Sequence, residues 1–140
     1  MLTNRSIPAS TVIPVLAYPD VNEAADWLCS AFGFSVRLRI GTHRVQLNAG
    51  EGAVIAREMR PDEQLGALGN GHSITIRVAD ADVHCKRARE RGARITQEPV
   101  THVYGERQYN ALDIAGHSWT FSQSVRDVEP AEWGGSVENL

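Results

Sequence analysis

The feature that most constrains this chain is an internal repeat. Asp20 and Asp80 lie 60 residues apart, and Gly33 and Gly92 lie 59 apart. Each aspartate sits between an apolar strand-like run and a helix-like run, and each glycine stands where that helix should stop. In the first half Val21, Ala24, Trp27, Leu28, Ala31 and Phe32 recur at helical spacing behind the cap Asp20, with Glu23 three residues on. In the second half Ile74, Ile76 and Val78 alternate with Ser73, Thr75 and Arg77, and the helix capped by Asp80 has a small face of Ala81, His84, Cys85 and Ala88. Residue identity between the halves is low, so the repeat rests on the order of elements: strand, capped helix, three strands.

The rest of the chain fits that plan. Residues 1–10 are polar and end in Pro8-Ala9-Ser10, which predicts a frayed lead-in. Thr11 to Tyr18 is a first strand, and its Pro14 suits an edge position. Ser35 to Ile40, His43 to Asn48 and Ala53 to Met59 are three short strands separated by glycine-bearing gaps of hairpin size. Residues 60–71 form a turn-rich linker, and the second module runs over 72–124. Arg94 to Val103 is interrupted at Pro99. Arg107 to Leu112 and Ser118 to Ser122 make a closing hairpin, with Asp113-Ile114-Ala115-Gly116 between them. Residues 125–140 are an acidic tail expected to dock Trp133 onto the body. The expected fold is α+β: two βαβββ modules, 11–59 and 72–124 of a single domain 11–124, forming a cupped mixed sheet with helices on the convex face.

Bulk properties exclude several classes. The 140 residues carry a net charge of -3, and the basic run Lys86, Arg87, Arg89, Arg91 and Arg94 reads as a solvated helix face, so no nucleic-acid partner is expected. Cys29 and Cys85 fall outside any CxxC pair and are expected as free thiols. The lead-in lacks the apolar run of a signal peptide, and no stretch approaches a membrane span, which points to the cytoplasm and to no membrane partner.

Three segments in order, LAYPDVNEAADWLCSAFGF, ITIRVADADVHCKRARERGARI and YGERQYNALDIAGHSW, resemble the vicinal oxygen chelate superfamily, the glyoxalase / bleomycin resistance protein / dioxygenase group. The resemblance spans roughly Thr11 to Ser124, with Ile114 in place of the proline that usually follows the turn aspartate. It implies a homodimer and, in the metal enzymes of the group, a divalent ion held by a His or Gln and a His on first strands and a Glu on a last strand. Carried over by distance from the motifs, those positions are Ile13, Ser73 and Thr120, an apolar residue and two neutral hydroxyls. Such a set suits no divalent ion, so no cofactor is expected.

No acid/base pair, catalytic triad or phosphate loop is legible. His72 is one residue from a family ligand position, on the opposite parity, and His117 occupies the turn of the family motif, where a structural hydrogen bond is expected. What remains is a polar face on the second module. Ser73, Thr75, Arg77, Ser118, Thr120 and, from the neighbouring strand, Arg107 and Tyr109 are the candidate ligand-binding residues. An inward guanidinium there calls for a carboxylate partner or an anionic ligand. The leading expectation is metal-independent binding of a small organic molecule in the concave sheet, in the manner of bleomycin-resistance members. The alternative is a metal-dependent or metal-free lyase, isomerase or dioxygenase of the glyoxalase type.

Overall fold

A computed structural model describes residues 2–64 and 71–139, so half of the expected linker, residues 65–70, lies outside the described residues. The elements run β1 (Val15–Tyr18), α1 (Val21–Phe32), β2 (Ser35–Ile40), β3 (Arg44–Ala49), β4 (Gly52–Glu58), then β5 (Ile74–Arg77), α2 (Ala81–Glu90), β6 (Arg94–Thr101), β7 (Glu106–Leu112) and β8 (Ser118–Ser124), with a short 3-10 turn at Pro130–Trp133. The cupped sheet is built as two four-stranded mixed sheets of matching order, β1-β4-β3-β2 and β5-β8-β7-β6. In each, the first strand runs parallel to the last and the other pairs are antiparallel.

Both caps form as the sequence predicts. The Asp20 carboxylate accepts from the Glu23 amide and that of Asp80 from the Val83 amide, each at 3.0 Å. Gly33 ends α1 at φ 77°, the left-handed region that glycine enters without a steric penalty. The basic run on α2 has a structural task as well as a solvated face. Arg87 reaches the carbonyls of Ser30 and Cys29 at the end of α1, supplying from the neighbouring helix the positive charge that α1 lacks in its own last turn.

The two modules share one core on their helix side. Phe32 packs against Trp119 and Phe121 of the second sheet, with ring centroids 5.6 and 4.7 Å apart. Trp119, Tyr18, Tyr109, Phe121 and Leu28 are its largest fully enclosed side chains. Burying each large apolar side chain contributes about 1.5–3 kcal/mol, so this joint core holds the modules together without a disulfide. Cys29 and Cys85 are free.

Three details depart from the sequence reading. First, β1 is only four residues long, and Pro14 precedes it, with its carbonyl accepting from the Ile55 amide. Second, β2 carries a bulge between Val36 and Leu38. Strict alternation would set Val36, Leu38 and Ile40 against Arg37 and Arg39. The bulge instead sends Arg37 to Gln46 on one face and Arg39 to Asn22 and Asp26 of α1 on the other. Third, the lead-in is tied to the body: Pro8 is buried, and the Ser6 carbonyl accepts from Gln46 at 2.9 Å.

Candidate ligand-binding face

Strand parity decides what the second sheet offers. Trp119 pairs with Ala111 and Ile74, and Phe121 with Tyr109 and Ile76, so these residues face the helices. The alternate set therefore faces away: Thr75 beside Thr120 and Asn110, Arg77 beside Ser122 and Gln108, and Glu106 beside Ser124. Thr75, Arg77, Ser118 and Thr120 share this open face as the alternation predicts, and Ser73 stands exposed just before β5 on the same parity.

Arg107 and Tyr109 do not join them. Both lie on the helix face, because the reversal between β7 and β8 sets Leu112 opposite Ser118 and so gives Arg107 and Tyr109 the parity of Trp119. Arg107 makes a two-pronged contact with Asp82 of α2 at 2.9 Å per bond, which holds the Asp82 carboxyl below its usual range. Tyr109 is fully buried and its hydroxyl meets His84 Nδ1. His84 Nε2 lies 2.8 Å from the Phe32 carbonyl, which can only accept, so Nε2 carries the proton and Nδ1 accepts from the tyrosine. Burial pushes the His84 pKa down and that of Tyr109 up, and both stay neutral near pH 7.

In their place the open face contains Glu106, Gln108 and Asn110, none of them among the residues expected to bind a ligand. The hairpin register decides this: the partners of Trp119 and Phe121 are Ala111 and Tyr109, so the even-numbered residues of β7 face the other way. These side chains form a directed network. The Tyr104 hydroxyl donates to Gln108 Oε1 at 3.0 Å, Gln108 Nε2 to Ser122 Oγ at 3.0 Å, and Ser122 Oγ to Glu106 Oε1 at 2.7 Å. Thr120 donates to Asn110 at 2.8 Å. Burial pushes the Glu106 carboxyl upward, but bonds from Ser124 and Ser122 and the charge of Arg77 outweigh it and hold the group below its usual range. Arg77 donates to Ser124 at 2.6 Å. Arg77 is exposed on this face rather than turned inward, and its charge is balanced through one serine by the nearby Glu106 carboxylate, which weakens its demand for an anionic ligand.

The rim of this face is aromatic. The His102 and Tyr104 rings are stacked 4.9 Å apart, and Trp133 of the tail packs on Tyr104 at 5.0 Å, half-exposed. A cleft between the tail and the sheet is lined by Tyr104, Glu106, Ser124, Arg126 and Asp127.

The positions that the resemblance assigns to metal ligands carry no imidazole, amide or carboxylate side chain. Ile13, Ser73 and Thr120 supply one apolar side chain and two neutral hydroxyls, one of which is already committed to Asn110. Among the described residues no group of three or more His, Cys, Asp or Glu side chains lies close enough to hold an ion. His72 is exposed, and His43 pairs with Glu58 at the surface. His117 is structural: its Nε2 donates to the Ala17 carbonyl at 2.7 Å.

The family model described as the Glyoxalase/Bleomycin resistance protein/Dioxygenase superfamily matches residues 11–121. Among solved structures the chain is similar to TioX from Micromonospora sp. ML1, with 33% identity over 86% of this chain and 100% of that one, at a TM-score of 0.68. It is also similar to a hypothetical protein from S. aureus (22% identity, 84% and 94% covered, TM-score 0.67). A glyoxalase/bleomycin resistance protein/dioxygenase family enzyme from Burkholderia phytofirmans PsJN shares the fold at 15% identity, with 80% and 96% covered and a TM-score of 0.68. None of the curated proteins matches the chain in sequence. Among the described residues no helix is long and apolar enough to cross a membrane.

Proposed function

The chain belongs to the glyoxalase/bleomycin resistance protein/dioxygenase superfamily, and from that premise we propose that it binds a small organic molecule on the open face of its second sheet, without a metal and as a homodimer. The observation that carries this reading is the chemistry of that face. Thr75, Ser118, Thr120, Gln108 and Asn110 present neutral donors and acceptors on rigid strands, and no side chain at the three family metal positions is an imidazole, amide or carboxylate. A ligand is recognised there by hydrogen bonds to hydroxyls and amides, with Arg77 and Glu106 as a balanced charged pair and Tyr104 and Trp133 as an aromatic rim. The role is sequestration, in the manner of bleomycin-resistance members.

Pairing of two chains is supported by apolar side chains exposed on the edge strand β2 of the first sheet, Val36 at 36% and Ile40 at 45%. A second copy would cover them and turn an open face into a cavity. Thermal-shift screening against a metabolite and antibiotic panel, with hits confirmed by calorimetry in the presence of a chelator, tests the reading. A saturable ligand that binds equally well in EDTA supports it. No ligand, or binding that requires an added metal, overturns it.

A further inference from the structure

The open face of the first module differs from that of the second because something already lies on it. Gln46 is only 4% exposed and Ile55 only 4%, although both point away from α1, which packs on the face of Val45, Leu47, Val54 and Ala56. The cover is the lead-in. Asn4 begins a turn in which its side chain accepts from the Ser6 amide at 3.0 Å, and the turn presents two successive carbonyls to the sheet. Arg37 Nη2 donates to the Arg5 carbonyl at 2.8 Å, and Gln46 Nε2 donates to the Ser6 carbonyl at 2.9 Å. Two residues on, Pro8 is buried. Gln46 Oε1 in turn accepts from Arg37, so the two receiving side chains hold each other in place, and Arg37 reaches this face because it follows Val36, the partner of core-facing Leu47.

The sheet contributes only donors to this contact, and the lead-in contributes main-chain acceptors and one proline ring. That is recognition of peptide backbone, tolerant of side-chain identity apart from the proline. We infer that the open face of the first module is a binding site for a peptide turn followed by a proline, and that residues 4–8 occupy it as an intramolecular ligand. The site is separate from the second-module face and stands whether or not that face binds a small molecule. An occupant tethered by a few residues acts at an effective concentration on the order of millimolar, so a free peptide enters only when it binds more tightly or when the tethered turn is weakened.

The test uses the full chain. Pro8→Asp removes the buried anchor of the tethered turn and leaves Arg37 and Gln46 untouched. A fluorescent synthetic peptide of residues 2–13 is titrated by anisotropy against wild type, Pro8→Asp and Pro8→Asp/Gln46→Ala, with folding checked by circular dichroism. Saturable binding to Pro8→Asp about tenfold or more tighter than to wild type, and lost in the double variant, is the expected result. Equal binding to wild type and Pro8→Asp, or binding that survives Gln46→Ala, overturns the inference. Should Pro8→Asp fail to fold, trypsin cleavage after Arg5 in Gln46→Ala alone decides. Faster cleavage there than in wild type, with cleavage after the exposed Arg126 unchanged, supports the inference, and no difference overturns it.

Discussion

The Tyr18 hydroxyl donates to the Asp113 carboxylate at 2.6 Å, joining the first strand of one module to the closing hairpin of the other across 95 positions of sequence. Asp113 is buried and accepts three further bonds, from Trp119 Nε1 and from the amides of Ala115 and His117, each at 3.0 Å. Burial, then the charge and hydrogen bond of Asp113, push the Tyr18 hydroxyl well above its ordinary pKa, so it stays a donor. The aspartate of the hairpin is therefore a four-way acceptor that fixes the turn and docks the modules.

Asp113→Ala leaves those four donors buried without a partner. At about 1–3 kcal/mol for each unsatisfied buried group, and allowing for partial relaxation, the loss is at least about 3 kcal/mol. Tyr18→Phe removes one donor of four and costs about 1 kcal/mol. Urea unfolding of both variants checks the ranking, and an Asp113→Ala protein as stable as Tyr18→Phe contradicts the docking role.

Acid should loosen the modules at His84. Its folded pKa is depressed from 6.5 chiefly by burial, so the unfolded chain binds the proton more readily. Stability is full above about 6.5 and falls as the pH drops below that value, until the folded pKa is passed. Glu63, held at about 2 by Arg57 from an ordinary 4.5, adds a second loss only below about pH 4.5. Thermal midpoints measured from pH 7.5 to 5 should decline in wild type and flatten in His84→Gln. Parallel curves for the two proteins contradict this assignment.

Gly105 holds the tail close. Its φ is 86°, and a Cβ there would lie 2.4 Å from the Arg126 carbonyl, which no side-chain movement relieves. Gly105→Ala should destabilise by about 1–3 kcal/mol and release Trp133 from Tyr104. Trp27 and Trp119 report on the core, so the comparison with Gly105→Ala/Trp133→Phe isolates the tail signal: a red shift and easier quenching in the first variant only.

The repeat was legible because its carriers are local. Asp20 and Asp80 accept from amides three residues on, Gly33 donates to the Cys29 carbonyl four residues back, and the alternation of Ile74, Ile76, Trp119 and Phe121 is a property of one strand at a time. What escaped depends on partners. The bulge that separates Arg37 from Arg39 is set by the pairing of β2 with β3, and the facing of Tyr109 by the register of the hairpin, so neither is written in its own strand. Pro99 did announce irregularity, which the structure realises as register shifts between β6 and β7. The lead-in read as frayed because polar residues were judged by composition, whereas its anchoring comes from two carbonyls and a proline ring, which composition does not reveal.

The proposed function requires the second-module face to take its ligand without a metal. Calorimetry of the tightest ligand from the screen, run on wild type in EDTA and on Thr120→Trp, tests it most directly. Thr120 lies at the middle of that face between Thr75 and Asn110, so an indole there fills it while the helix-side core is untouched. The account predicts unchanged affinity in EDTA and loss of binding in folded Thr120→Trp. Affinity that collapses in EDTA and returns with a divalent metal, or binding that Thr120→Trp leaves intact, would contradict it.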